Sequence, residues 1–277
     1  MAVEKISGQY NDMLHHNSGN GVDKSRRTWR TALVTGGAKR IGEAMVRDLA
    51  AHGFAVAVHA NQSLAEAQGL VNEINGGGGK AVALRADLTD PQAAAKLVGD
   101  ARAALGPIGL VVNNASVFER DAAHYVDLAV WERHFALHVK APALIAAAFA
   151  QQTELSEGLI VNIVDQRVWK LTPEFFSYTL SKSALWTMTQ TMAQAFAPII
   201  RVNAIGPGPA LASERQAAPD FARQINGLPL KQGPKLAEFG ATLRYLFATP
   251  SITGQMIALD GGQHLAWQTP DVTAINE

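Results

Sequence analysis

The chain has 277 residues, with 24 Lys and Arg balanced by 24 Asp and Glu, and it contains no cysteine. Zero formal charge argues against a nucleic-acid or anionic-membrane partner, and the lack of cysteine removes disulfides and thiol catalysis, which fits a cytoplasmic enzyme. No apolar run approaches the roughly 20 residues needed to cross a bilayer, so no membrane partner is expected.

Residues 1–28 are polar, include Asn17-Ser-Gly-Asn-Gly21 and lack the apolar core of a secretion signal. They read as a flexible extension ahead of a single domain over 29–277. His15 and His16 read as solvated side chains, and no metal site is expected. Residues 29–34 then form an apolar strand. The turn Thr35-Gly-Gly-Ala-Lys-Arg-Ile-Gly42 follows and opens a helix with apolar positions Ala44, Met45, Val46 and Leu49. A strand, a glycine turn and a helix start let backbone amides around Gly36, Ile41 and Gly42 approach a pyrophosphate. Taken alone, an ordinary βα turn would read the same way.

The second strand, 54–59, ends at His59 and is followed by Ser63, with no acid before Glu66. NAD-specific folds place an acid near this strand end for the ribose 2′-OH. Here Lys39, Arg40, His59 and Ser63 offer donors and positive charge instead, so NADP(H) is the expected cofactor. The alternative is that Lys39 and Arg40 are a solvated helix start, a poor place for cations given the helix dipole. Further apolar strands at 81–84, 110–112, 159–163, 200–204 and 256–259 alternate with helical patterns. That order predicts an α/β fold: a doubly wound, Rossmann-type parallel sheet of about seven strands in one domain.

The chemistry-bearing residues lie late in the chain. Tyr178 and Lys182 are one helical turn apart, so the Lys182 ammonium can sit beside the phenol and lower its pKa. That makes Tyr178 a candidate proton donor. Asp165 precedes it by thirteen residues.

These elements together resemble the short-chain dehydrogenase/reductase family. The match runs in family order through the glycine loop, Asp87 in Ala86-Asp-Leu88, Asn113-Asn-Ala-Ser116, the Tyr178 and Lys182 pair, Pro207-Gly208 and Asp260-Gly-Gly262, over roughly residues 31–265. The resemblance implies cofactor contacts at Asp87, Leu88, Asn114, Ala115, Ser116, Tyr178, Lys182, Pro207 and Gly208. It also implies a homo-oligomer, expected to be a tetramer paired through helices near 127–151 and 175–197.

Where the chain departs from the family pattern, it points to its substrate. Most members carry serine at the position of Asp165, and an ionised carboxylate cannot donate to a ketone oxygen. It can accept from N–H groups, or relay a proton if burial raises its pKa, which suits a nitrogen heterocycle; loss of activity is the other reading. Arg40 replaces a loop glycine, and Phe118 follows Ser116, so a guanidinium, an aromatic ring and a carboxylate could clamp a flat ring. The set resembles pteridine reductases, with Arg40, Ser116, Phe118, Asp165 and Tyr178 facing substrate. His138 stands where many members use a relay asparagine, as in bacterial dihydromonapterin reductases; it reads either as a proton relay or as a hydrogen-bonded core residue. Residues 207–233, rich in Pro, Gly and Ala, are the expected mobile cover. The leading reading is an NADPH-dependent dihydropteridine reductase acting on a small molecule. The alternatives are a carbonyl or 3-oxoacyl reductase, and a non-enzymatic NADP-binding sensor or scaffold.

Overall fold

A computed structural model of the protein describes residues 29–212, 216–269 and 273. The expected extension, with His15 and His16, lies outside the described residues. Seven strands pair in parallel in the order β3-β2-β1-β4-β5-β6-β7. They are β1 (Thr31–Val34), β2 (Ala55–Ala60), β3 (Lys80–Arg85), β4 (Leu110–Asn113), β5 (Gly158–Ile163), β6 (Ile200–Pro207) and β7 (Met256–Leu259).

Every residue of β1, β4 and β5 is buried, because helices cover both faces of the sheet. Alternate side chains serve opposite layers. Ala32 and Val34 of β1 and Leu110 and Val112 of β4 join one core, while Leu33 and Val111 join the other. This two-sided burial is why the strands read as continuous apolar runs. The first layer is built on α1 (Arg40–Ala51) and α2 (Leu64–Gly76); the second is built on α3 (Pro91–Leu105). Strand order reverses between β1 and β4, which opens a crevice at their carboxyl ends.

The helix expected over 127–151 is broken in the structure. Asp127 caps α4 (Leu128–Phe135) by accepting from the Ala129 and Val130 amides at 2.9 and 3.1 Å. A π-helical turn, Ala136–Lys140, then leads into α5 (Ala141–Ala150). Pro142 has no amide to offer the His138 carbonyl, and the ladder widens to i→i+5 spacing just before it. The second long helix, α6 (Phe176–Ala195), is continuous. Its N-cap Phe175 adopts a left-handed conformation with φ of 56°. The expected cover after β6 contains a helix of its own, α7 (Ala218–Asn226), which buries none of its residues. Residues 213–215 of that segment lie outside the described residues. The last helix, α8 (Leu236–Ala248), packs on α1.

Candidate active site

The loop between β1 and α1 is held by a network of side chains. Thr35 Oγ1 accepts from the Asn114 and Ala115 amides at 2.9 and 3.0 Å, while Asn114 Nδ2 donates to the Thr35 and Gly36 carbonyls at 3.0 and 2.9 Å. Gly36 takes a left-handed φ of 61°. Gly42 must lack a side chain, since a Cβ there would lie 2.1 Å from the Gly36 oxygen. No side chain caps the start of α1, so its first amides remain available to an anion.

Two of the expected phosphate-facing residues have other work. The Gly36 amide donates to His59 Nδ1 at 3.1 Å, and the opposite ring nitrogen, Nε2, meets the Ala86 carbonyl at 3.0 Å. His59 is buried, and burial pulls its pKa below the usual value. It is a neutral pin for the glycine loop, not a positive group for a phosphate. Lys39 also has a partner, because Glu66 reaches back from α2 to pair with it at 2.6 Å. The sequence places no acid before Glu66, and it is Glu66 itself that folds back to this corner. Ser63 precedes α2 and its hydroxyl caps nothing. Arg40, at φ 56°, extends an exposed guanidinium that donates to the Leu211 and Ala212 carbonyls at 3.4 and 3.1 Å, bridging to the segment after β6.

Farther along the crevice, Asp87 is exposed and accepts from the Thr89 amide and hydroxyl at 3.0 and 2.8 Å, which holds its carboxyl below the usual range. Leu88 is a core residue whose side chain packs into the second layer, so only its backbone is free to meet a ligand. Pro207 ends β6. Gly208 passes so close to Asp260 that a Cβ would lie 2.6 Å from its Cα.

The proton-handling group sits where β5 and α6 converge. Tyr178 Oη donates to Asp165 Oδ2 at 3.0 Å, and the Arg167 amide donates to Asp165 Oδ1 at 2.8 Å. Lys182 Nζ donates to the Ile163 carbonyl at 2.9 Å and lies 5.7 Å from the centre of the Tyr178 ring. Burial lowers Lys182 to about 8, with Asp165 pulling partly the other way. The expected acidification of Tyr178 is reversed: burial and then the Asp165 carboxylate push the phenol well above its usual value, against smaller opposing effects of Arg167 and Ser116. Asp165 is also pushed up, by its own burial. Burial thus shifts both groups in the same direction, upward.

Phe118 stands over this pair. Its ring stacks on Phe175 at 4.1 Å and 16°, meets the Tyr178 ring edge-on at 4.7 Å, and is 40% exposed. The Arg167 guanidinium lies over Phe118 and Phe175 at 5.6 and 5.2 Å. Sequence reasoning missed Arg167 and Phe175. The signals available were a cation two residues after Asp165 and an aromatic just before the α6 start.

His138 is almost fully buried in the π turn. Its Nε2 accepts from the Val117 amide at 3.3 Å and faces Ser116 Oγ at 2.9 Å, while Nδ1 meets Ser181 Oγ at 2.8 Å. Burial, with the charge of Lys182, holds its pKa well below the usual value. Both nitrogens are bound to loop and helix groups, the surroundings expected of a hydrogen-bonded core residue, one of the two readings of this position. Among the described residues no group of His, Asp or Glu could hold a metal ion, and no helix is long and apolar enough to cross a membrane.

Residues 30–220 match the family model described as short chain dehydrogenase. Among solved structures, the chain is similar to FolM Alternative dihydrofolate reductase 1 from Brucella canis complexed with NADP, at 57% identity and a TM-score of 0.86, covering 88% of this chain and 97% of that one. The Brucella suis protein of the same name, also in complex with NADP, gives the same identity and TM-score over 88% of this chain and 98% of its own. A curated relative, the 3-oxoacyl-(acyl-carrier-protein) reductase of Synechocystis sp., is 29% identical over 85% of this chain and 97% of its own length.

Proposed function

The chain belongs to the short-chain dehydrogenase family, and on that premise we propose that it is an NADPH-dependent reductase of a dihydropteridine, a pterin or dihydrofolate-like molecule. The observation that carries this reading is the direct Tyr178 to Asp165 hydrogen bond beside the partly exposed Phe118 ring. The solved relatives named for dihydrofolate reduction and crystallised with NADP support it.

The crevice residues suit such a cofactor, which supplies a hydride when bound. The uncapped amides at the start of α1, at Ile41 and Gly42, would meet its phosphates beside the Gly36 turn, and Arg40, Lys39 and Ser63 its 2′-phosphate. Asp87 and the Leu88 backbone would face the adenine. Asn114, Ala115, Ser116, Pro207 and Gly208 would line the rest of the crevice, and Lys182 would hold the nicotinamide ribose.

A flat ring fits against Phe118, with Ser116 and Arg40 meeting its polar edge. Reduction of a C=N bond needs one proton on nitrogen for each hydride on carbon. Tyr178 is the donor, because burial and Asp165 keep its proton in place until a basic ring nitrogen displaces the carboxylate as acceptor. Asp165, whose pKa burial raises above the ordinary carboxylate value, accepts the phenol's hydrogen bond and is placed to pass a proton back to it. The same carboxylate disfavours a ketone, whose oxygen needs a donor at that position. A 3-oxoacyl substrate is the second reading, favoured only by relatives such as the Synechocystis enzyme.

The test is NADPH consumption with dihydrofolate, a simple 7,8-dihydropteridine, a ketone and a 3-oxoacyl thioester. Turnover of the first two is expected; ketone or thioester turnover without either of them would overturn the substrate assignment. We also propose assembly as a homotetramer. The exposed Tyr125, Val126 and Leu128 beside α4, and Leu180 on α6, supply apolar surface for it. A monomer by light scattering would refute that.

A further inference from the structure

The loop that carries Phe118 is gripped on both sides by histidines. The Val117 amide donates to His138 Nε2 at 3.3 Å, and the Glu119 amide donates to His134 Nε2 at 3.3 Å. A ring nitrogen that accepts from an amide carries no hydrogen, so each neutral imidazole holds its proton on Nδ1. Those Nδ1–H groups meet Ser177 Oγ at 2.7 Å and Ser181 Oγ at 2.8 Å, one turn apart on α6. The two histidines share that four-residue spacing. Their rings lie 5.5 Å apart and nearly parallel, and both meet Tyr178 edge-on, at 5.7 and 5.4 Å.

We propose that His134 and His138 are positioning residues: a double clasp that fixes the loop on either side of Phe118 to the helix bearing Tyr178, and so sets the width of the slot for a planar substrate ring. The inference rests on the dihydropteridine reading for its substrate but on hydrogen bonds alone for its geometry. Aromatic packing of Phe118 on Phe175 tolerates sliding, whereas the Val117 and Glu119 amides are directional anchors on each side of it. The clasp works only while both rings are neutral, since an imidazolium would turn an N–H toward the amide N–H it must accept from. Burial keeps them so. Lys182 acts in the same direction on both rings, as do Arg133 on His134 and His134 on His138, while Asp121 and Glu119 oppose on His134.

The tautomer is directly observable. In the nitrogen-15 NMR spectrum of the wild-type chain, with His134→Gln and His138→Gln used for assignment, both rings are expected as neutral Nδ1–H tautomers at about pH 8. A ring protonated on Nε2 at that pH overturns the clasp whatever the substrate is. In steady-state kinetics with dihydrofolate, His134→Phe keeps the ring shape and removes both hydrogen bonds. It is expected to raise KM about tenfold, the worth of roughly one hydrogen bond, with NADPH affinity within about twofold of wild type. An unchanged KM, or an equal loss of NADPH affinity, overturns the positioning role. If the wild type reduces no dihydropteridine, the functional reading falls while the tautomer measurement still decides the clasp.

Discussion

Replacing Asp165 by serine tests the proton couple at its centre. The carboxylate holds the Tyr178 hydroxyl through Oδ2 at 3.0 Å and the Arg167 amide through Oδ1 at 2.8 Å. A serine hydroxyl is shorter and cannot keep both. Hydrogen bonds to a charged group contribute about 1.5–3 kcal/mol each, so losing the Tyr178 bond predicts a fall in dihydropteridine kcat/KM of about tenfold to a hundredfold. The pH dependence has a definite sign. Asp165 is the second largest cause, after burial, of the upward shift of Tyr178, so Asp165→Ser brings the phenol pKa down. The proton donor then deprotonates earlier, and the alkaline limb of the pH–rate profile moves to lower pH. NADPH affinity should stay near wild type, because the Asp165 carboxylate is bonded to Tyr178 and the Arg167 amide and not to the glycine loop, and ketone activity should rise. The assay is NADPH oxidation across pH with dihydrofolate and with a ketone. Full dihydrofolate turnover in the variant, or an alkaline limb that does not move, refutes the couple.

Tyr178→Phe should reduce turnover of every substrate by about a hundredfold to ten-thousandfold, the usual cost of losing a general acid, while a binding titration shows NADPH still held. Lys182 gives a pH signature in stability: its pKa falls from 10.5 to about 8 in the folded state, so the unfolded chain binds the extra proton between those values and stability rises with pH across that window. Urea unfolding of wild type minus Lys182→Met should show this rise, of about 3 kcal/mol, and a flat difference would refute the buried ammonium. Glu66→Gln frees Lys39 and should tighten NADPH binding by roughly twofold to fivefold, the range expected of an exposed pair, with NADH binding unmoved. Equal gains for both nucleotides in a fluorescence titration would show that Lys39 does not meet the 2′-phosphate.

What the sequence determined by itself was everything set by short-range pattern. Strands buried on both faces read as apolar runs at 29–34, 110–112 and 159–163, and the helices between them dictate a parallel, doubly wound sheet. The pairing of Tyr178 with Lys182 on one helix, and of Asp165 with the end of β5, was legible because a helical turn and a strand end place side chains by local geometry. The tertiary structure decided whatever depends on burial and on neighbours distant in sequence. His59 offers a ring to the crevice in the sequence, yet its partners Gly36 and Ala86 lie 23 and 27 residues away, and they turn it into a pin. Glu66 lies beyond the strand end in the sequence, but α2 folds it back onto Lys39. The sign of the Tyr178 shift followed the same logic: the sequence shows the lysine one turn away, but desolvation and a carboxylate in hydrogen-bonding contact both raise the phenol and outweigh Arg167 and Ser116. Arg167, Phe175 and His134 joined the site only when separate loops and helices met around Phe118, a convergence that no local periodicity encodes.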